Sequence, residues 1–262
     1  MKLYTSCLST ALHYLGIGVP PVGEFNDDSI TEYFKLDDLY AREPGKLFAF
    51  TQSYHHWPYL IFEQFAGSSQ LDRFKTCSAN FPILAIALDG QGFHGQHERH
   101  WETGMGNLYL SAYMPVQWFE KHCHMPMNCI TPKSSENISK ELLNFLQNWP
   151  CISVLKACQS VLKLKKNTEI SIKLPNDIIV KQEAITYKLA GCLTELVVQD
   201  SMIQAIRIGI GLNIHHTPQI CSNYGISAIC CEAIHTGDPS HLYTELLNKI
   251  ALYLLTIDQD MF

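Results

Sequence analysis

Short apolar runs bounded by polar or turn-forming residues recur along most of the chain. They lie at residues 46–50, 81–88, 108–116, 169–174, 177–180, 189–198 and 202–214. Runs of this length that are rich in Ile, Val, Leu and aromatic residues predict β-strands. We therefore predict seven strands, four of them in the second half of the chain.

Three other segments repeat apolar residues at helical spacing. The first, residues 134–148, opens with Ser134-Ser135-Glu136. We predict that it ends at Trp149-Pro150, because proline lacks a backbone donor and disfavours a helical conformation of the residue before it. Residues 151–164 and 242–256 predict a second and a third helix. This order of elements predicts an α+β domain with a mixed, largely antiparallel sheet and flanking helices.

The first 45 residues follow a different pattern. The pattern of apolar runs is interrupted there by Pro20-Pro21, Gly23 and Asp27-Asp28, and a short helical stretch follows at residues 30–40. We predict an N-terminal extension of unknown role over residues 1–45 and one domain over residues 46–262. A chain of 262 residues with 47% hydrophobic residues is long enough for one large domain with a full core.

The charge balance excludes one class of partner. The 19 Lys and Arg residues against 25 Asp and Glu residues give a net charge of −6, and no basic run stands out. A protein that coats nucleic acid needs a basic surface, so we expect no nucleic-acid partner.

The ten cysteines show no framework spacing and stand mostly among apolar neighbours, which favours free, buried thiols in a reducing compartment. Residues 1–20 are too interrupted by polar residues for a signal peptide or a membrane span. We expect a cytoplasmic protein with no membrane partner.

Three motifs follow one another in the second half of the chain. They are Lys173-Leu-Pro-Asn-Asp177, Lys188-Leu-Ala-Gly191 and Gly209-Ile-Gly-Leu-Asn213. Together they bring a lysine, a polar Asn-Asp pair and glycine-flanked strands toward one pocket. Upstream, residues 91–111 read QGFHGQHERHWETGMGNLYLS.

In order and spacing, these four segments resemble the catalytic domain of the biotin protein ligases, within the biotin/lipoate ligase superfamily. The resemblance covers roughly residues 46–230. It implies an enzyme that uses ATP and biotin to form biotinyl-5'-adenylate and transfers biotin to a lysine of a carrier protein. It also implies Mg²⁺ as a cofactor.

The resemblance assigns roles residue by residue. Lys188 matches the family's central lysine, whose ammonium stabilises charge on the α-phosphate, and it is the catalytic residue. Asp177 is the Mg²⁺ ligand, since hard cations at nucleotide sites take one or two carboxylates. The implied substrate- and nucleotide-binding residues are Gln91, Gly95, Arg99, Trp101, Lys173, Asn176, Asp177, Gly191, Gly209, Gly211 and Asn213.

The sequence departs from the family pattern in the upstream loop. Where the family has a Gly-Arg-Gly-Arg run, this chain has Phe93-His94-Gly95-Gln96. Neither His94 nor Gln96 offers a permanent charge or a bidentate fork to phosphate. Leu174 replaces the family's usual tryptophan, and Thr51-Gln52-Ser53 is a poor match to its short Ser-Thr-Asn element.

We expect two domains found in some biotin ligases to have no counterpart here. The sequence ends at Phe262, soon after the last predicted helix, so we expect the small C-terminal β-barrel domain to be absent. The acidic N-terminal segment is too short for a winged-helix DNA-binding domain.

Histidines cluster in two places. His94, His97 and His100 recur every third residue, and His122-Cys123-His124 precedes Cys129. Neither spacing matches a zinc framework, which favours structural or surface histidines. Alternatively, His94 and His97 replace the loop arginines when protonated, and activity then rises as the pH falls toward about 6.

Three functions stay open at this point. The first is a biotin ligase, and the second is a lipoate or octanoate ligase, which shares the fold and the lysine. The third is a member that binds a ligand or protein without catalysis. Residues 203–214 are either an exposed sheet edge, which would allow a homodimer, or a covered strand, and the sequence does not distinguish the two.

Overall fold

The computed structural model describes residues 1–25, 45–123, 140–200, 202–219 and 226–256. No helix within these ranges is long and apolar enough to span a membrane. The strands are β1 Lys2–Thr5, β2 Gly23–Phe25, β3 Lys46–Ala49, β4 Tyr59–Glu63, β5 Ile83–Ala87, β6 Leu108–Pro115, β7 Thr168–Lys173, β8 Asp177–Gln182, β9 Ile185–Gln199, β10 Met202–Leu212 and β11 Ser227–Ala228.

The described strands form one mixed sheet. Its order is β2-β3-β1-β4-β5-β6-β10-β9-β8-β7, and β11 pairs with β9. The β1–β4, β4–β5 and β9–β11 pairs are parallel, and the other neighbours are antiparallel. The predicted fold class, α+β with a mixed and largely antiparallel sheet, is confirmed.

The helices are α1 Leu8–Leu15, α2 Gln70–Arg73, α3 Val116–Cys123, α4 Lys140–Val161, α5 Cys231–Ile234 and α6 Leu242–Tyr253. Helix α4 packs against α6 and against β7, β8 and β9, and α1 also packs against α6. The short α2 contacts β6 and β10. The main core lies between the long helices and the sheet, where side chains such as Trp149 and Leu246 are fully buried.

The N-terminal segment belongs to this sheet. Strand β1 lies between β3 and β4 and pairs with both, and Leu3 is fully buried. The boundary predicted at residue 45 therefore separates no structural unit among the described residues. Strand β4 was also missed, because the run Tyr59–Glu63 follows His55, His56 and a proline.

The two helices predicted around Pro150 are one helix. Helix α4 runs from Lys140 to Val161 with Pro150 inside it, so the predicted end at Trp149-Pro150 is wrong. Proline cannot donate to the carbonyl four residues earlier, which here belongs to Leu146. The hydroxyl of Thr194 on β9 donates to that carbonyl at 2.9 Å, so the helix continues without leaving the acceptor unpaired.

Strand β10 is not a sheet edge. It pairs with β6 on one side and with β9 on the other, and most of its residues are buried. Of the two interpretations left open for residues 203–214, the covered strand is therefore the one that the structure shows, and its backbone is not available to pair with a second copy. The apolar run is long because both faces of the strand are covered.

Seven described cysteines are free, and six of them are buried. The hydrogen bond to Cys151, together with burial, raises the pKa of Cys192 well above its ordinary value. These thiols fit the prediction of unpaired, buried cysteines. The predicted helix at residues 30–40, the start of the helix at 134 and the side chains of the His122–Cys129 cluster lie outside the described part of the chain.

The hydroxyl of Thr194 should contribute to stability only because Pro150 leaves the carbonyl of Leu146 without its backbone donor. We expect Thr194→Val to lower the free energy of unfolding by about 1–2 kcal/mol, since it leaves a buried carbonyl unpaired. Urea unfolding followed by circular dichroism measures the change. In a Pro150→Ala background the restored backbone N–H pairs with Leu146, so the same substitution should cost clearly less. An equal cost in both backgrounds contradicts the assignment.

Candidate functional site

One face of the sheet carries a row of residues across four strands, and three of the four are predicted site residues. The strand register places Tyr109 of β6 opposite Gly211 of β10, Gly211 opposite Gly191 of β9, and Gly191 opposite Asp177 of β8. Successive residues of a strand alternate between faces, so Gly209 and Asn213 also belong to the face of Gly211. The opposite face of β9 packs against α4.

A β-bulge brings Lys188 to this face. Ile178 pairs with Ala190 and Ile179 pairs with Lys188, so Leu189 has no partner on β8. Lys188 is three residues from Gly191, and in a regular strand the two side chains would point to opposite faces. The extra residue reverses the alternation, because a bulge re-aims the side chains beyond it.

Lys188 is held by a carboxylate and an aromatic ring. Its Nζ lies 2.6 Å from Oδ1 of Asp177 and 5.0 Å from the centre of the Trp101 ring. Both Lys188 and Asp177 keep about a quarter of their side chains exposed, at 26% and 25%. The ammonium is therefore fixed in place but open to a ligand.

The turn between β7 and β8 positions Asp177. Asn176 donates from Nδ2 to the carbonyl of Cys192 at 3.0 Å, and its own carbonyl accepts from the N–H of Cys192 at 2.8 Å. The side chain of Asn176 thus clamps the turn to β9. Lys173 and Leu174, on the other side of the same turn, are exposed at the pocket.

The indole of Trp101 fills the space above two glycines. A Cβ atom at Gly211 would lie 2.7 Å from Cε2 of Trp101, and one at Gly191 would lie 2.9 Å from Cζ3. Glycine is required at both positions because any side chain would collide with the ring. The sequence predicted both glycines as substrate- or nucleotide-binding residues, and in this structure both lie against the ring of Trp101.

Trp101 belongs to a loop that folds back on itself. The N–H of Gly95 donates to the carbonyl of Arg99 at 2.8 Å, and the N–H of Trp101 donates to the carbonyl of Phe93 at 2.9 Å. The loop thereby forms a short hairpin over residues 93–101, which we call the loop hairpin. It places Trp101 over the sheet and Arg99 at the pocket.

These elements enclose a pocket of about 780 Å³, which is within the usual range for small-molecule sites. The predicted site residues that line it are Gly95, Arg99, Trp101, Lys173, Asn176, Asp177, Lys188, Gly191, Gly209, Gly211 and Asn213.

Gln91 is the exception among the predicted residues. Its Nε2 donates to the carbonyl of Gly67 at 3.1 Å, and the side chain is exposed outside the pocket lining. Its predicted contact with substrate stays a prediction, since Gln91 lies outside the pocket lining. Its amide instead fixes the start of the loop.

Several pocket residues were missed by sequence reasoning. Ser69, Leu71, Phe93, Tyr109 and Ser111 line the pocket. Burial raises the pKa of Tyr109 to about 12, so its hydroxyl stays protonated. Ser69 is the residue before α2, and a serine at the start of a helix was the available signal. The suggested Thr51-Gln52-Ser53 is exposed and outside the lining.

Asn213 presents an unused acceptor. Its Nδ2 donates to the carbonyl of Ile229 at 3.2 Å, whereas its Oδ1 is buried and without a hydrogen-bond partner among the described residues. The buried Asn107, also missed, fixes the end of β10, because its Oδ1 accepts from the N–H groups of Ile214 and His216, both at 2.9 Å.

The loop histidines form no metal site. Nε2 of His94 lies 2.8 Å from Oδ2 of Asp72, and His97 is exposed. No group of three or more metal-ligating side chains occurs in the described ranges. A phosphate bound by His94 would have to compete with Asp72, whose carboxylate already contacts Nε2 of His94.

Comparison with known proteins gives structural neighbours only. No protein-family model and no curated protein sequence matches the chain. The biotin protein ligase of Leishmania major in complex with biotinyl-5-AMP is 21% identical, with a TM-score of 0.52 over 76% of this chain and 74% of that one. The Aquifex aeolicus biotin protein ligase in complex with biotin and ATP is 23% identical, with a TM-score of 0.50 over 74% and 69%. This similarity establishes the fold.

The contact between Gly211 and Trp101 can be tested by substitution. We expect Gly211→Ala to displace the indole, to change its fluorescence and to lower the free energy of unfolding by about 1–3 kcal/mol, the usual cost of overpacking. The cost should shrink in a Trp101→Ala background. Gly18→Ala is the matched control, because nothing lies within 4 Å of a Cβ there. An unchanged cost without the tryptophan argues against the contact.

Proposed function

Since the chain has the fold of the biotin protein ligases, we propose that it is a biotin–carrier protein ligase. It forms biotinyl-5'-adenylate from biotin and ATP and then transfers biotin to a lysine of a carrier protein. The observation that carries this proposal is the bulge-directed Lys188, held by Asp177 at 2.6 Å inside a pocket of about 780 Å³. The ligands named for the two neighbours, biotinyl-5-AMP and biotin with ATP, support the choice of substrates.

In the first step the biotin carboxylate attacks the α-phosphorus of ATP, and pyrophosphate leaves. Negative charge accumulates on the α-phosphate oxygens as the new bond forms. The Lys188 ammonium stabilises that charge most strongly in the transition state, which is how a fixed cation lowers the barrier. Asp177 and the Trp101 ring hold the ammonium ready, so little reorganisation is needed when ATP arrives.

Lys173 adds a second cation, since it lines the pocket and pairs in register with Asp177. Asn213 offers its unpaired Oδ1 to a donor of the nucleotide, and that bond would relieve a buried, unsatisfied acceptor. Both roles follow from the position of these residues and from the resemblance of their motifs.

Asp177 fits a magnesium ion bound through the nucleotide. A single carboxylate suffices where phosphate oxygens and water supply the other ligands, and Asp177 is the pocket carboxylate beside Lys188. A bound Mg²⁺ would neutralise phosphate charge. Asp177 would then divide its two oxygens between the ion and Lys188.

The biotin ring system would lie toward β6, away from Asp177 on β8. Leu71, Phe93 and Tyr109 provide apolar surface there, and Ser69 and Ser111 provide hydroxyl groups. A small polar ring on an apolar chain needs an apolar surface that excludes water and a few hydrogen-bond partners. The hydroxyl of Tyr109 is used internally, since it donates to the carbonyl of Gly104 at 3.3 Å.

In the second step the amine of the carrier lysine attacks the carbonyl of the mixed anhydride, and AMP leaves. The exposed Lys173 and Leu174 border the pocket on one side and Arg99 on the other. The carrier protein would approach along this rim. Retaining the adenylate until then depends on the loop hairpin.

Adenylate formation tests the proposal directly. We expect the protein with Mg-ATP and biotin to release pyrophosphate and form biotinyl-adenylate, detected by mass spectrometry. Lys188→Ala should lower the rate about 100-fold or more, as for loss of one preorganised charge-stabilising group. Lys181→Ala, an exposed lysine on β8 outside the pocket, is the matched control.

The same assay separates the alternatives. Lipoyl- or octanoyl-adenylate in place of the biotin product would identify a lipoate or octanoate ligase. Stabilisation of the protein by biotin or ATP without pyrophosphate release would identify a non-catalytic binding protein. Either result removes the proposal.

Gln96 lines the pocket where the family pattern has an arginine. We expect Gln96→Arg to tighten Mg-ATP binding about tenfold, because a guanidinium makes charge-assisted, bidentate bonds to phosphate. Isothermal titration calorimetry measures the change. Gln199→Arg adds the same charge at an exposed position on β9, and it should leave the affinity unchanged. Equal effects of both variants would indicate long-range attraction only.

A further inference from the structure

Helix α2 is a rigid platform beside the pocket. The buried carboxylate of Glu63 accepts from Nε2 of Gln70 at 2.6 Å and from Nη1 of Arg73 at 3.0 Å. Leu71, between them, packs against the sheet at Gly209. Three of the four residues of α2 are thereby tied to the core. The fourth, Asp72, points elsewhere.

Asp72 joins this platform to the loop hairpin. Its Oδ2 lies 2.8 Å from Nε2 of His94, and its Oδ1 lies 2.6 Å from Nζ of Lys75. The His94 side chain is only 11% exposed, and its Nδ1 lies 3.3 Å from the carbonyl of Gly95. Both ring nitrogens therefore face acceptors, and the imidazole is fixed between α2 and the loop.

The charge state of Asp72 agrees with this arrangement. Burial alone would raise the pKa of its carboxyl, but the hydrogen bonds from Lys75 and His94 outweigh burial, and the pKa lies below its ordinary value of 3.8. The contact therefore stabilises the fold above about pH 4 and is lost only as the pH falls through the lowered pKa.

We propose that Asp72 and His94 form a latch that orders the loop hairpin before any ligand binds, and that both are positioning residues for the reaction proposed above. Only the effect of the latch on catalysis depends on the proposed function; the ordering of the loop hairpin does not. It acts through Trp101 and Arg99, which the loop hairpin carries to the pocket.

The latch gives a physical reason for the altered loop. Arginines at positions 94 and 96 could order the loop by binding the phosphates of the ligand. Here a carboxylate of the protein itself holds residue 94, so the entropy of ordering the loop is lost on folding rather than on binding. Substrate then meets a pocket whose Trp101 and Arg99 are already in place.

Amide hydrogen exchange of the ligand-free protein tests the latch without reference to any reaction. We expect Asp72→Ala and His94→Ala each to speed exchange in peptides covering residues 93–103 about tenfold, the order for loss of one charge-assisted hydrogen bond. The double variant should be no faster than either single one, since both remove the same contact. Unchanged exchange overturns the latch, whatever the protein catalyses.

Two substitutions serve as matched controls. His97→Asn changes an exposed histidine of the same loop, and asparagine tolerates its left-handed backbone, with φ of 58°. Lys75→Ala removes the other partner of Asp72 and leaves His94 in place. Exchange of the loop should stay at the wild-type rate in both, and faster exchange in both would show a general loosening that contradicts the proposal.

Adenylation kinetics test the positioning role. We expect Asp72→Ala to raise the KM for Mg-ATP about tenfold and to change kcat less than about twofold, because saturating ligand orders the loop again. His94→Arg should keep the wild-type KM, since its guanidinium can pair with Asp72, and should lose it when Asp72→Ala is added. Faster loop exchange with an unchanged KM overturns the positioning role. No adenylate even from the wild type defeats the proposed function, and the exchange result still decides the latch.

Discussion

The β-bulge at Leu189 is the constraint on which the whole site depends. A lysine three residues before Gly191 would, on a regular strand, point into the layer covered by α4. There it would be a buried, unpaired charge, which costs several kcal/mol. One unpaired residue turns it toward Asp177, so a single irregularity in the β8–β9 pairing separates a functional pocket from a destabilised core.

Strand β9 ties this pocket to the rest of the molecule. Through the backbone of Cys192 it holds Asn176 and the turn before Asp177, and through the hydroxyl of Thr194 it completes helix α4 around Pro150. On the pocket face, Gly191 accepts the ring of Trp101. The helix layer, the sheet and the loop hairpin thus meet on one strand, and the positions of Lys188 and Asp177 are determined by all three.

The sequence predicted what depends on local pattern and on motif order. Strands β3 and β5 to β10 and helix α6 were predicted because apolar runs are local signals. Eleven of the residues that line the pocket were predicted because motifs such as Lys-x-Pro-Asn-Asp and Gly-x-Gly-x-Asn are local signals too. Pairing partners are not local. The place of β1 between β3 and β4, the use of Thr194 to complete α4, and Asp72 as the partner of His94 each depend on residues far apart in sequence. The bond from Gln91 to the carbonyl of Gly67 was also not predicted, because a motif position does not specify where an amide will find its acceptor.

The floor of the pocket is assembled from distant parts of the chain. Strand β6 ends at Pro115, and its partner β10 begins at Met202, while Trp57 near the start donates to the carbonyl of Ala251 in the last helix at 3.0 Å. During synthesis, an emerging chain has its loop hairpin long before it has the strand beneath it. The pocket can therefore be complete only after strand β10, which carries Gly209 and Gly211, and the Asn213 that follows it have left the ribosome.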